Sequence, residues 1–144
     1  RSTLFPYTTL FRSRTGESFE GIDEIVVAYD GTPSSVFAIK QFTYLFPQLN
    51  TKKISIVHVN NDNRWNEKEK DKFSDWLKGH YTNMHFVSLR GEPDTALFDF
   101  LLRRENIFLV MGAYGRSNIS QFLKHSRAEL IIKTITQPIF IAHH

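Results

Sequence analysis

The residues with chemical promise lie at the ends of two apolar runs. Gly112 and Gly115 stand three apart at the close of IFLVMGA (107–113) and just beyond it. Arg116 follows, and the pair His125-Ser126 comes ten residues after the second glycine. Glycines at such a point let the backbone approach an anion and offer amide donors with no side chain in the way. Ser126-Arg127-Ala128-Glu129 has the S-x-x-E form of a capping box, so the unpaired amides and dipole of a helix start would face the same anion. Arg116 adds positive charge. Asp30, closing EIVVAYD (24–30), is an acceptor suited to a ribose hydroxyl. Together these types and spacings point to nucleotide binding. Spacing alone leaves the matter open, since a glycine at a strand end more often serves a turn, and an Asp ahead of Gly-Thr-Pro more often starts a helix.

The elements that must position these residues read as alternating strands and helices. Apolar, β-branched runs occur at 24–30, 53–60, 84–89, 107–113 and 138–143. They are nearly continuous, which suits parallel strands covered on both faces. Between them, 34–46 carries Val36, Ile39, Thr43 and Phe46 at helical spacing after Pro33, and 67–78 carries Phe73, Trp76 and Leu77 ahead of Gly79. Residues 94–105 carry Leu97, Leu101 and Leu102 with Asp94 as the expected N-cap. Residues 127–135 carry Ala128, Ile131, Ile132 and Ile135. The order βαβαβαβαβ predicts an α/β fold, an open doubly wound sheet of five parallel strands with right-handed crossovers. Ligands of such sheets bind beyond the carboxyl ends of the strands, where the strand order reverses. Asp30 and the Gly112–Gly115 loop would face each other there if the first and fourth strands are neighbours.

Residues 22–144 resemble a universal stress protein domain. VVAYDGTPSSVFAIKQF resembles that family's first strand, Asp-Gly turn and first helix, and VMGAYGRSNISQFLKHSRAELIIKTITQPIFIAHH resembles its last third. The resemblance implies a Rossmann-like sheet of the adenine nucleotide alpha hydrolase type with strand order 3-2-1-4-5. It also implies binding of ATP or a related adenine nucleotide, with Mg2+ accompanying it, in a regulatory stress-response role with slow hydrolysis at most. The family's ATP-binding members carry G-x2-G-x9-G-[S/T]. Gly112 and Gly115 match the first two glycines, Ser126 the hydroxyl, Asp30 the aspartate near ribose and adenine, and Met111 a position lining the nucleotide. The third glycine is replaced by His125. Its Cβ and imidazole would either obstruct the phosphate or reach a phosphate oxygen in place of the glycine. Family members without nucleotide act as dimeric interaction modules, and a non-nucleotide-binding module of that kind is the alternative reading; the last strand often pairs with its twin, so the resemblance also implies a homodimer through 138–143.

Other classes fit less well. A nucleotidyltransferase would need H-x-G-H and an ATP pyrophosphatase S-G-G-x-D-S, and neither is present. A phosphoacceptor receiver would need an aspartate where Leu89-Arg90-Gly91 stands. The 6 histidines show no metal-ligand spacing, and there are 0 cysteines, which suits a reducing cytoplasm. Lys68, Lys70 and Lys72 alternate with acids and read as a solvated helix face. The net charge of +3 resides in Arg1, Arg12 and Arg14; from Thr15 onward acids and bases balance, which argues against nucleic acid as partner. No apolar run is long enough to span a membrane. TLFPYTTLFRS (3–13) resembles the translation of a sequencing-adapter oligonucleotide. Residues 1–20 are therefore expected to be a non-native or disordered tail, and residues 21–144 the domain, with room for it to be the C-terminal half of a longer tandem protein.

Overall fold

The computed structural model describes residues 9–12, 21–112, 124 and 137–142. Its strands are β1 (Thr9–Arg12), β2 (Glu24–Tyr29), β3 (Lys53–Val59), β4 (Met84–Leu89), β5 (Ile107–Gly112) and β6 (Ile139–Ala142). Its helices are α1 (Pro33–Leu45), α2 (Glu67–Leu77) and α3 (Pro93–Leu102), with a 3-10 turn at Pro47–Leu49. The sheet order is β1-β6-β5-β2-β3-β4. From β4 to β6 every pairing is parallel, which gives the expected 3-2-1-4-5 arrangement of five strands. β2 and β5 are neighbours, with Ala28 level with Met111. The strand order reverses between them.

One strand was not expected. Thr9–Arg12 lies antiparallel along the outer edge of β6, with Leu10 opposite Ile141. An edge strand offers a row of unpaired amides and carbonyls, and an extended TLFR segment satisfies one side of it.

Period-two alternation divides the core between the two faces of the sheet. Ile25, Val27, Ile54, Ile56, Phe108, Val110 and Phe140 face α1 and α2, and pack against Ile39, Phe42 and Leu77. Val26, Val57, Ile107, Leu109 and Met111 face α3 and pack against Leu97, Phe98 and Leu101. Each fully buried Phe, Ile or Leu contributes roughly 1.5–3 kcal/mol relative to exposure. α1 packs mainly on β5 and β6, whereas α2 lies over β4. The two helices on that face therefore stand apart, with a trough between them above β2 and β3.

Helix ends follow local chemistry. α2 begins at Asn66, whose side chain accepts from the amides of Lys68 and Glu69. It ends before Gly79, whose amide donates to Trp76 O. For α3 the sequence reading placed the cap at Asp94, but the helix starts earlier, with Glu92 as N-cap and Pro93 in the first turn. Proline brings its φ preset for that position and lacks the amide that would go unpaired. The 127–135 helix falls outside the described residues.

At the opposite end of the sheet from the strand tips, Glu24 is buried and sits between two cations. Its Oε1 lies 3.2 Å from Lys53 Nζ and its Oε2 3.3 Å from Arg104 Nε, and it also accepts from Ser55 Oγ. Arg104 in turn lies over the Phe100 ring and donates to Phe100 O. This network ties the start of β2 to β3 and to the end of α3.

Candidate functional site

The end of β2 is shaped by four residues in a row. Asp30 Oδ1 accepts from the Thr32 amide at 2.9 Å and from Thr32 Oγ1 at 2.6 Å. Gly31 takes φ +80°, a conformation that costs glycine little. Thr32 is the N-cap of α1, receiving the Ser35 amide, and Pro33 occupies the first helical turn. The helix-start reading of Asp30 is therefore correct. It uses one carboxylate oxygen. Asp30 is exposed, and its Oδ2 takes no hydrogen bond from any other described residue.

Gly112, at the tip of β5, has a different reason to be glycine from the one its spacing suggested. A Cβ there would lie 2.8 Å from both the carbonyl carbon and Oγ of Ser34, and 2.9 Å from its backbone oxygen. Gly112 faces the first turn of α1, and its missing side chain lets that helix start seat against β5. Close helix–strand approach is a requirement visible at this position.

On the other face, Asp30 and Gly112 border a cavity of about 120 Å³ at the carboxyl ends of the strands. Its walls are Ala28, Val57, Val59, Pro93 and Leu97. Pockets that enclose a whole drug-sized ligand run roughly 300–1,000 Å³. This one has the scale and apolarity of a seat for a flat ring, with a carboxylate at its rim. Met111 is 1 % exposed and packs in the same apolar cluster as Val57 and Leu97. The structure thus brings Asp30, Met111 and Gly112 together at the strand-order reversal. Gly115, Arg116, His125 and Ser126 lie outside the described residues. Sequence reasoning missed Val57, Val59, Pro93 and Leu97, although their places at strand ends and a helix start were a usable signal.

The opposite face carries an aromatic group around Tyr29. Its ring stacks on Trp65 at 5.3 Å and meets Phe73 edge-on at 4.8 Å. Trp65 donates its indole N–H to Val87 O, so this tryptophan is a core residue, not a base-stacking platform. The Tyr29 hydroxyl donates to Glu69 Oε2 at 3.4 Å. Burial, and then the neighbouring Glu69 carboxylate, push the phenol up from 10.0 to about 12. The neutral form is therefore favoured in the folded state. The contribution is present in full below pH 10.0 and is lost as pH rises toward about 12. Chemical-denaturation midpoints should fall across that window, and Tyr29→Phe should flatten the fall; an equally steep fall in the variant would show that Tyr29 is not its source. Tyr81, pushed up by burial, adds a slope of the same sign.

No family model matches this chain, and no curated protein matches it either. Solved structures do. The hypothetical protein MJ0577 aligns with a TM-score of 0.60 and 18% identity, covering 85% of this chain and 96% of that one. A universal stress protein in complex with cAMP aligns at 0.54 and 22%, covering 84% and 97%. A universal stress protein from Archaeoglobus fulgidus aligns at 0.56 and 20%, covering 83% of this chain and 43% of that one. The chain has the universal stress protein fold. In that fold the small cavity beside Asp30 and Gly112 occupies the strand-order reversal, the position where open α/β sheets take their ligands. No helix among the described residues is long and apolar enough to cross a membrane.

Proposed function

We propose that this chain is a universal stress protein-like domain that binds ATP or a related adenine nucleotide in the crevice between the tips of β2 and β5, in a regulatory stress-response role. The observation that carries the reading is the apolar cavity at the strand-order reversal with the Asp30 carboxylate at its rim. The likeness to a universal stress protein in complex with cAMP supports it. In this reading Val57, Val59 and Leu97 hold the base, with Met111 behind them, and Asp30 Oδ2 accepts from a ribose hydroxyl. The Gly112–Gly115 backbone, Arg116 and Ser126 would take the phosphates, and Mg2+ would arrive with them. Asp30, the one carboxylate among the described residues lining the cavity, is tied to Thr32, which fits the expected role of a binding domain with slow hydrolysis at most.

His125 decides how well the phosphate end works. Replacing it by glycine restores the family's G-x2-G-x9-G-[S/T] pattern, in which no side chain stands at that position. His125→Gly should tighten ATP binding on the order of tenfold in calorimetry, which is about 1.4 kcal/mol. A weaker variant would mean that the imidazole itself contacts the phosphate. The direct test of the reading is whether adenine nucleotide leaves the purified protein on denaturation.

The second reading, a dimeric interaction module, is favoured by one observation: the outer edge of β6 accepts an antiparallel strand. With β1 in place that edge is occupied. Deleting residues 1–20 should leave the melting temperature within a few degrees, since among the described residues only a 4-residue edge strand is lost, and should open the edge to a second copy. Sedimentation of the truncated chain checks this: dimer at micromolar concentration supports pairing through β6, and a monomer with a sharply lowered melting temperature would show that the segment is integral to the domain.

A further inference from the structure

The larger cavity in the described structure, about 280 Å³, is not at the strand tips but in the trough between α1 and α2. The trough exists because α1 is drawn over β5 and β6 and α2 over β4. The Tyr29 ring forms part of the lining, with Val36 and Ile39 from one helix and Phe73 and Trp76 from the other. Two exposed ammonium groups, Lys40 and Lys72, line it from opposite helices. Lys40 Nζ is held 5.9 Å from the centre of the Trp76 ring, and neither lysine forms a salt bridge within the described residues. The one acid in the lining, Glu69, accepts from the Tyr29 hydroxyl. The lining therefore carries two cations against one anion, around apolar and aromatic walls.

We propose that this trough is a binding site for a small organic monoanion, a carboxylate on an aryl or branched apolar body. The body would lie against Val36, Ile39 and Phe73, and the carboxylate between Lys40 and Lys72. A cationic ligand is disfavoured, because Lys40 already covers the Trp76 face that would receive it and Lys72 repels it. This site is on the other side of the sheet from the crevice at Asp30, and its occupancy does not depend on nucleotide.

Naphthoate is a suitable probe, with naphthalene methanol as its uncharged counterpart, followed through the methyl resonances of Val36 and Ile39 in nucleotide-free protein. Naphthoate should shift these signals saturably at sub-millimolar concentration, and more tightly than the alcohol. Lys40→Met with Lys72→Met should weaken naphthoate roughly tenfold and leave the alcohol unchanged, the scale of two partly exposed ion pairs. Val36→Trp, which fills the trough, should abolish both while thermal melting shows the domain still folded. Equal binding of acid and alcohol, or indifference to the lysine pair, would reduce the trough to an apolar gap and overturn the proposal. So would naphthoate shifts confined to Val57, Val59 and Leu97, or no shifts at all.

Discussion

Gly112→Ala lowers the stability of the domain by roughly 1–3 kcal/mol, the usual cost of forcing a methyl group into filled space. In melting temperature that is a fall of about 3–10 °C for a chain of this size. The reason is local and geometric. The added Cβ would meet the carbonyl carbon, Oγ and backbone oxygen of Ser34 at 2.8, 2.8 and 2.9 Å. Two of those three atoms are backbone in the first turn of α1, so no side-chain rotation relieves the clash. α1 must move away from β5, and with it the Asp30–Thr32 turn that shapes the crevice. Gly31→Ala is the informative contrast. There is open space around Gly31, and the cost comes only from its φ of +80°. Gly31→Asn should recover part of that loss, because asparagine tolerates the left-handed region, whereas no residue with a Cβ recovers Gly112. Differential scanning calorimetry of the three variants checks the account. A Gly112→Ala melt matching the parent would show that the helix start gives way at little cost.

In the proposed nucleotide site, Asp30→Ala is expected to weaken adenine nucleotide binding by about 10- to 100-fold, the worth of one hydrogen bond to a charged acceptor, about 1.5–3 kcal/mol. The same carboxylate also receives the Thr32 amide and hydroxyl at the start of α1. Affinity and folding effects must therefore be separated. Asp30→Asn does so, since its amide oxygen still accepts from Thr32. It should hold the melting temperature near that of the parent while placing an NH2, which can only donate, where Oδ2 would accept from the ribose hydroxyl. An intermediate affinity for the Asn variant, with an Ala variant weaker still, is the expected series in calorimetry. If both variants bind ATP as the parent does, Oδ2 is not a ligand group and Asp30 is a helix-start residue alone.

Much of this architecture could be read from the amino-acid order, for physical reasons that differ by element. The strands were legible because a strand buried on both faces must be apolar nearly throughout, as Ile107–Met111 is. Helix ends were legible where one residue type dominates the choice and misread where it does not: Pro33 marked the start of α1, while the reading put the α3 cap at Asp94 and overlooked Pro93, which sets the first turn behind an N-cap at Glu92. Asn66 was hidden inside a polar loop, yet its side chain caps α2. At the strand tips, Asp30 and Gly112 were singled out from their strand-end positions and Met111 from the family resemblance, but the contact that Gly112 makes with α1 was not legible. Contact with Ser34 joins residues far apart in the chain, and no local pattern encodes it. The Glu24 network and the trough between α1 and α2 were invisible for the same reason. Lys72, read as part of a solvated face, proves to line that trough because of where α2 lies across the sheet.

The central claim is that an adenine nucleotide sits in the crevice between β2 and β5. The most direct measurement is a titration of the protein with ATP and Mg2+ followed by methyl NMR. The account predicts saturable shifts at Val57, Val59 and Leu97, lost in Asp30→Ala, with Val36 and Ile39 unmoved. Silence at Val57, Val59 and Leu97 under saturating ATP, with the protein folded, would contradict it.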